Sequence, residues 1–114
     1  MKMNVFILLA AVFFGGLTLS AQTITDHENG KYSLSVGQVT LTVDASKGGK
    51  IISYRYDDKE ILSQTRMPNS FGSTFWTSPQ SEWNWPPVPE YDYKPFSAQI
   101  KDASLVLTGE KSPR

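Results

Sequence analysis

The chain's three tryptophans, Trp76, Trp83 and Trp85, fall in one short segment, with Ser78, Gln80 and Glu82 interleaved. A flat indole ring can stack on the C–H face of a pyranose while its N–H donates a hydrogen bond. A sugar site adds a few convergent polar groups to such an apolar wall. Trp76 and Trp83, with Ser78 and Gln80 beside them, are therefore the candidate ligand-binding residues. The same residue types suit a different arrangement. Tryptophans also fill the interiors of β-sandwiches, and Ser78 and Gln80 would then satisfy backbone groups of a loop buried beneath them. Trp83 and Trp85 are separated only by Asn84, so in an extended chain they point to one side. That geometry serves a platform or a core wedge. Trp85, held by Pro86 and Pro87, is read as structural.

Other residues with chemical potential resolve into plainer roles. Glu82 has no identifiable carboxylate partner, and glycosidase chemistry needs two placed carboxyl groups. No catalytic residue is assigned, and whether the protein is an enzyme stays open. Gly48-Gly49-Lys50 lacks the spacing of a phosphate loop and precedes a strand, so it reads as a turn. Asp57, Asp58 and Glu60 do not match a calcium loop and read as a solvated hairpin tip, so no metal ligand is assigned. His27 is the single histidine and lies in a polar stretch, 25–31, which reads as surface near a loose terminus. With no cysteine there is no thiolate nucleophile, cysteine zinc site or disulfide framework. No cofactor is implied. Lys and Arg number 11 and so do Asp and Glu, a balance that argues against a nucleic-acid binder.

These residues must be positioned by the elements around them. Residues 1–21 read as a secretory signal peptide: Lys2, then an apolar run over 5–14, then small residues leading to a cut after Ala21. The protein is therefore expected to be exported, periplasmic or extracellular, with no membrane span after cleavage. Residues 22–114 read as strands around one long aromatic segment. Val39, Leu41 and Val43 alternate with Gln38, Thr40 and Thr42, the period of a half-buried strand. Strands are predicted over 32–36, 38–43, 50–56 and 60–63, then 96–100 and 105–108. Turns fall at 44–49, 57–59 and 101–104. The class is all-β, an antiparallel sandwich or barrel.

Between the strands lies 64–93, without a clear helix or strand period, although 70–76 could form one more strand. Loops this long are usually functional or disordered. Its aromatic content, Phe71, Phe75, Tyr91 and Tyr93 besides the tryptophans, argues against disorder. A small exported domain without disulfides buries little apolar surface, and the last strand stops with no closing element. The reading is an N-terminal part of a larger β-domain.

The stretch Asn69–Pro87, NSFGSTFWTSPQSEWNWPP, together with Gly48-Gly49-Lys50-Ile51-Ile52-Ser53 and Glu60-Ile61-Leu62, resembles the domain of unknown function 4380 family of exported bacterial proteins. The resemblance spans about 34–108. It implies an antiparallel β-sandwich of the galactose mutarotase-like superfamily, with the aromatic segment lining a sugar cleft. Residues 72–80 sit where aldose epimerases place an Asn-Arg pair on the sugar, but this chain has Ser78-Pro79-Gln80 and no arginine there. The epimerases' catalytic His and Glu lie further downstream, and His27 is too early to match. The function implied is carbohydrate recognition. The alternatives are a sugar-active enzyme whose catalytic residues lie beyond 114, and a structural envelope protein with its aromatics in the core.

Overall fold

The computed structural model describes residues 21–67 and 71–113. The signal-peptide assignment lies outside these residues except for Ala21, as do Asn69 and Ser70 of the aromatic motif. Thr23–Asp26 (β1), Lys31–Val36 (β2), Val39–Asp44 (β3), Lys50–Tyr56 (β4) and Lys59–Glu60 (β5) form a five-stranded sheet in chain order. Every neighbouring pair is antiparallel. Ser97–Lys101 (β6) and Ser104–Thr108 (β7) form a separate antiparallel hairpin. The described residues are thus mostly antiparallel sheet, with one helical turn, Pro89–Asp92 (α1), and two 3-10 turns. This is the all-β class that the alternation predicts.

The alternation sorts the sheet into two faces. Leu34 pairs with Ile24 and Leu41, and Leu41 with Tyr54, a row of apolar side chains across four strands. Its opposite face carries hydroxyls: Ser33 Oγ lies 3.0 Å from Thr42 Oγ1, and Ser35 Oγ 3.0 Å from Thr40 Oγ1. The register shifts between Thr42 and Val43, which sets Val43 opposite Ile51 and Asp44 opposite Lys50. A bulge of this kind bends its strand and re-aims the side chains beyond it. The bend leads into the corner that holds the rest of the molecule.

At that corner Asp44 caps the 3-10 turn Ala45–Lys47, its carboxylate accepting from Ser46 N at 3.1 Å. Gly48 follows in the left-handed region at φ 71, where glycine carries no steric penalty. A Cβ there would come within 3.0 Å of the Asp92 carbonyl and of Tyr93 N. The Gly-Gly pair is the expected turn, and it also lets two backbones meet. Gly48 N donates to Lys94 O at 3.0 Å and Phe96 N to Ala45 O at 2.7 Å. The best-buried apolar side chains among the described residues come from both partners of this joint: Val43 of β3 and Ala45 of the turn after it, Trp83 and Val88 of the aromatic segment.

Three expectations are corrected. Thr23–Asp26 is a strand, although 25–31 reads as loose polar sequence; Ile24 is its one apolar anchor, and pairing with β2 supplies the rest. The returning strand after the 57–59 turn is only Lys59–Glu60. Here the Glu60 carboxylate takes the Tyr54 and Leu62 backbone N–H groups, at 2.9 and 3.0 Å, in place of a longer ladder. The extra strand at 70–76 reduces to one antiparallel bridge, Ile51 with Ser73.

Candidate functional site

The aromatic segment is folded by local anchors. Pro79 precedes the 3-10 turn Gln80–Glu82, and the Gln80 carbonyl accepts from Trp83 N at 3.1 Å and Asn84 N at 2.8 Å. Asn84 then takes φ 55, a left-handed conformation that asparagine tolerates better than most residues. The chain around Trp83 and Trp85 is therefore turned, not extended, and the two rings part. Trp83 is buried at 6% exposure, whereas Trp85 is 69% exposed. The reading of Trp85 as the structural tryptophan is corrected: Trp83 is the buried one. Its indole N–H donates to Thr77 O at 2.9 Å.

Trp76 connects these two. Its ring lies edge-on to Trp83 at 5.8 Å between centroids and edge-on to Trp85 at 6.1 Å. Such edge-to-face pairs are worth about 0.5–1.5 kcal/mol each beyond their burial. The Trp76 Nε1–H donates to Asp92 Oδ1 at 3.2 Å, which fixes the ring against α1. Trp76 nevertheless remains 48% exposed. It forms one wall of a cavity of about 350 Å³, with Phe75, Tyr91, Phe96 and Leu107 around it and Gly48-Gly49 at its base. That volume falls in the range of small-molecule sites, about 300–1,000 Å³.

Of the four candidate binding residues, the structure brings Trp76 and Trp83 together, one on the cavity wall and one behind it. Ser78 and Gln80 are exposed and do not line this cavity. Phe75, Tyr91, Phe96 and Leu107 were not singled out as site residues. The available signal is the density of aromatics around the prolines; their convergence depends on the approach of the Asp92–Tyr93 backbone to Gly48, which the local turn chemistry does not reveal. Glu82 is likewise exposed. Among the described residues no group of three or more His, Asp or Glu side chains could hold a metal ion.

Charge near the site is held by one pair network. Lys94 Nζ lies 2.8 Å from the buried Glu90 carboxylate and 3.5 Å from Glu110. The Glu90 hydrogen bond is the main cause that raises Lys94 above its ordinary value. This network ties α1 to the segment after β7. His27 Nε2 sits 2.7 Å from Ser33 Oγ, away from the aromatic cavity. No protein family, characterised protein or solved structure matches the chain.

Proposed function

We propose that the protein is an exported carbohydrate-recognising protein built on a galactose mutarotase-like β-sandwich. Trp76 is the stacking wall of its sugar site. The observation that carries this reading is the state of Trp76: half-exposed, edge-packed between two other tryptophans, and fixed by Asp92. An indole immobilised in this way has already lost its rotamer freedom, so stacking a sugar on it costs less entropy. Exposed Phe75 and Trp85 extend the apolar surface around it; a cluster of large exposed aromatics marks an interaction site more often than chance placement. Trp83 supports the platform from behind. Ser78 and Gln80 are exposed in the same stretch of chain, free to meet a ligand that extends beyond the cavity.

Tryptophan fluorescence tests this reading, because all three indoles lie in one cluster. Titration with a panel of neutral and acidic oligosaccharides gives a saturable emission shift for at least one of them. A flat response across the panel overturns the reading. It would favour a structural envelope protein, for which the burial of Trp83 is the supporting observation.

A further inference from the structure

A second cavity, of about 890 Å³, lies on the other side of α1. Tyr91 faces the aromatic cavity, while Asp92 and Tyr93 line this larger cleft. We infer that the cleft binds the acidic groups of an oligosaccharide bearing carboxylates or sulfates, whose neighbouring ring rests on Trp76. This rests on the carbohydrate reading and names the class of ligand.

The argument is one of charge and register. Lys31 pairs with Asp44 across β2 and β3, and Asp44 pairs with Lys50 across β3 and β4. Two lysines thus stand on either side of one aspartate in a single row. Lys47 ends the 3-10 turn directly after that row. Arg66 reaches the cleft from the segment beyond β5, its guanidinium 4.1 Å from the centre of the Phe71 ring. Phe71 is itself placed by the bridge between Ser73 and Ile51 of β4.

Four cations therefore line the cleft against two carboxylates, Asp44 and Asp92. Both carboxylates are engaged: Asp44 Oδ1 accepts from Ser46 N and, at 2.5 Å, from Ser46 Oγ, and Asp92 Oδ1 accepts from Trp76. Among the described residues the ion pairs within 4.0 Å are those of Lys94, so none of the four cleft cations is ion-paired with a described carboxylate. A guanidinium stacked on a ring still presents its planar N–H edge, the donor set that meets a carboxylate or sulfate in two parallel bonds. Lysine ammoniums add point charges without demanding a particular angle.

The ligand's class follows from what surrounds the cations. Trp76 and Asp92 are hydrogen-bonded, so the stacking wall and the cationic cleft share a boundary. A polymer of rings can lie across it, with one ring on the indole and acidic substituents among the lysines. A nucleic-acid strand also offers rings and anions. The chain's zero formal net charge supplies no broad field of the kind that nucleic-acid binders use.

Calorimetric titration tests this with tetragalacturonate, its fully methyl-esterified form as an uncharged control of the same length, a sulfated heparin tetrasaccharide and a single-stranded oligonucleotide. At least one of the two acidic saccharides should bind about tenfold or more tighter than the ester, the equivalent of one lost charge-assisted bond. The advantage should shrink on raising salt from about 50 mM to about 0.5 M, as screening shortens the reach of the lysines. The doubly substituted Lys47→Gln, Lys50→Gln protein should lose the advantage while still binding the ester and melting as the parent does. Equal affinity for acidic and esterified sugars, with both lost in Trp76→Ala, overturns the cleft and leaves the carbohydrate reading standing. Tighter binding of the oligonucleotide than of either acidic saccharide overturns the inference, and failure of every saccharide overturns both readings.

Discussion

The five-stranded sheet and the aromatic segment that docks on its corner are held by different means. In the sheet each strand pairs with the next in sequence, and a repeating register gives one apolar face and one hydroxyl face. The interior pairings are flanked on both sides by others of the same kind, a redundancy of like contacts. The aromatic segment has no such redundancy. Its path depends on a few unlike fixings: the buried Trp83, the backbone meeting at Gly48, the Trp76–Asp92 hydrogen bond and the Lys94 pairs. A region fixed at few points can leave large aromatic rings exposed between them, and a ladder-bonded sheet has less freedom to do so. The candidate site accordingly lies in the irregular region, and the regular one serves as its mount.

The difference can be broken at its strongest fixing first. Trp83→Ala removes the buried ring and its Thr77 hydrogen bond, and should cost about 3–5 kcal/mol, as large core truncations do. Chemical denaturation measures it; a loss below 1 kcal/mol would show that the segment is held elsewhere. Gly48→Ala comes next. It places a Cβ against the Asp92 and Tyr93 backbone at a positive φ, and should cost about 2–3 kcal/mol. The aromatic segment should become sensitive to protease before the sheet does, and simultaneous loss of both regions would contradict the distinction drawn here.

Trp85→Ala probes the exposed end of the aromatic segment. Trp85 is the most exposed of the three indoles, so its removal should leave stability within about 0.5–1 kcal/mol, losing only its edge contact with Trp76. A cooperative melt near that of the parent is the expected result. An unfolded product would return Trp85 to a structural role.

The smallest effect belongs to the sheet. Glu60 accepts from Ser53 Oγ at 2.5 Å and from the Tyr54 and Leu62 backbones. The Ser53 hydrogen bond is the first cause that lowers its carboxyl below the ordinary value of 4.5. Its contribution to stability is therefore complete above that value and is lost as pH falls through the lower folded one. Glu60→Gln should melt slightly below the parent at neutral pH, with the gap closing in acid. A gap that stays constant into acid would mean that the carboxylate's charge contributes nothing.

Much of the sheet was legible in the residues themselves. The alternation at Val39, Leu41 and Val43 and the turn chemistry at Gly48-Gly49 and Asp57 specify strands and reversals locally, and these are where the structure has them. Thr23–Asp26 was not legible, because a four-residue strand with one apolar side chain takes its conformation from its partner. The aromatic segment was legible as a site in composition only. Which tryptophan is buried turns on Asn84's left-handed backbone, a single dihedral that reverses the sense of Trp85. The cationic cleft was not legible either. Lys31, Lys47, Lys50 and Arg66 form no run in the chain: the β2–β3–β4 register brings Lys31 and Lys50 together, the turn after β3 adds Lys47, and Arg66 comes from beyond β5.

Trp76, fixed but half-exposed, is the surface proposed to meet sugar. Trp76→Ala tests it most directly, with glycan affinity and thermal melting measured on the same preparation. The ring's partial exposure predicts a melt that stays cooperative, lowered by about 1–3 kcal/mol for its two edge contacts, together with a loss of about 1 kcal/mol or more in binding, roughly fivefold or greater in affinity. A variant that still melts cooperatively and binds every sugar as the parent does would contradict this role of Trp76.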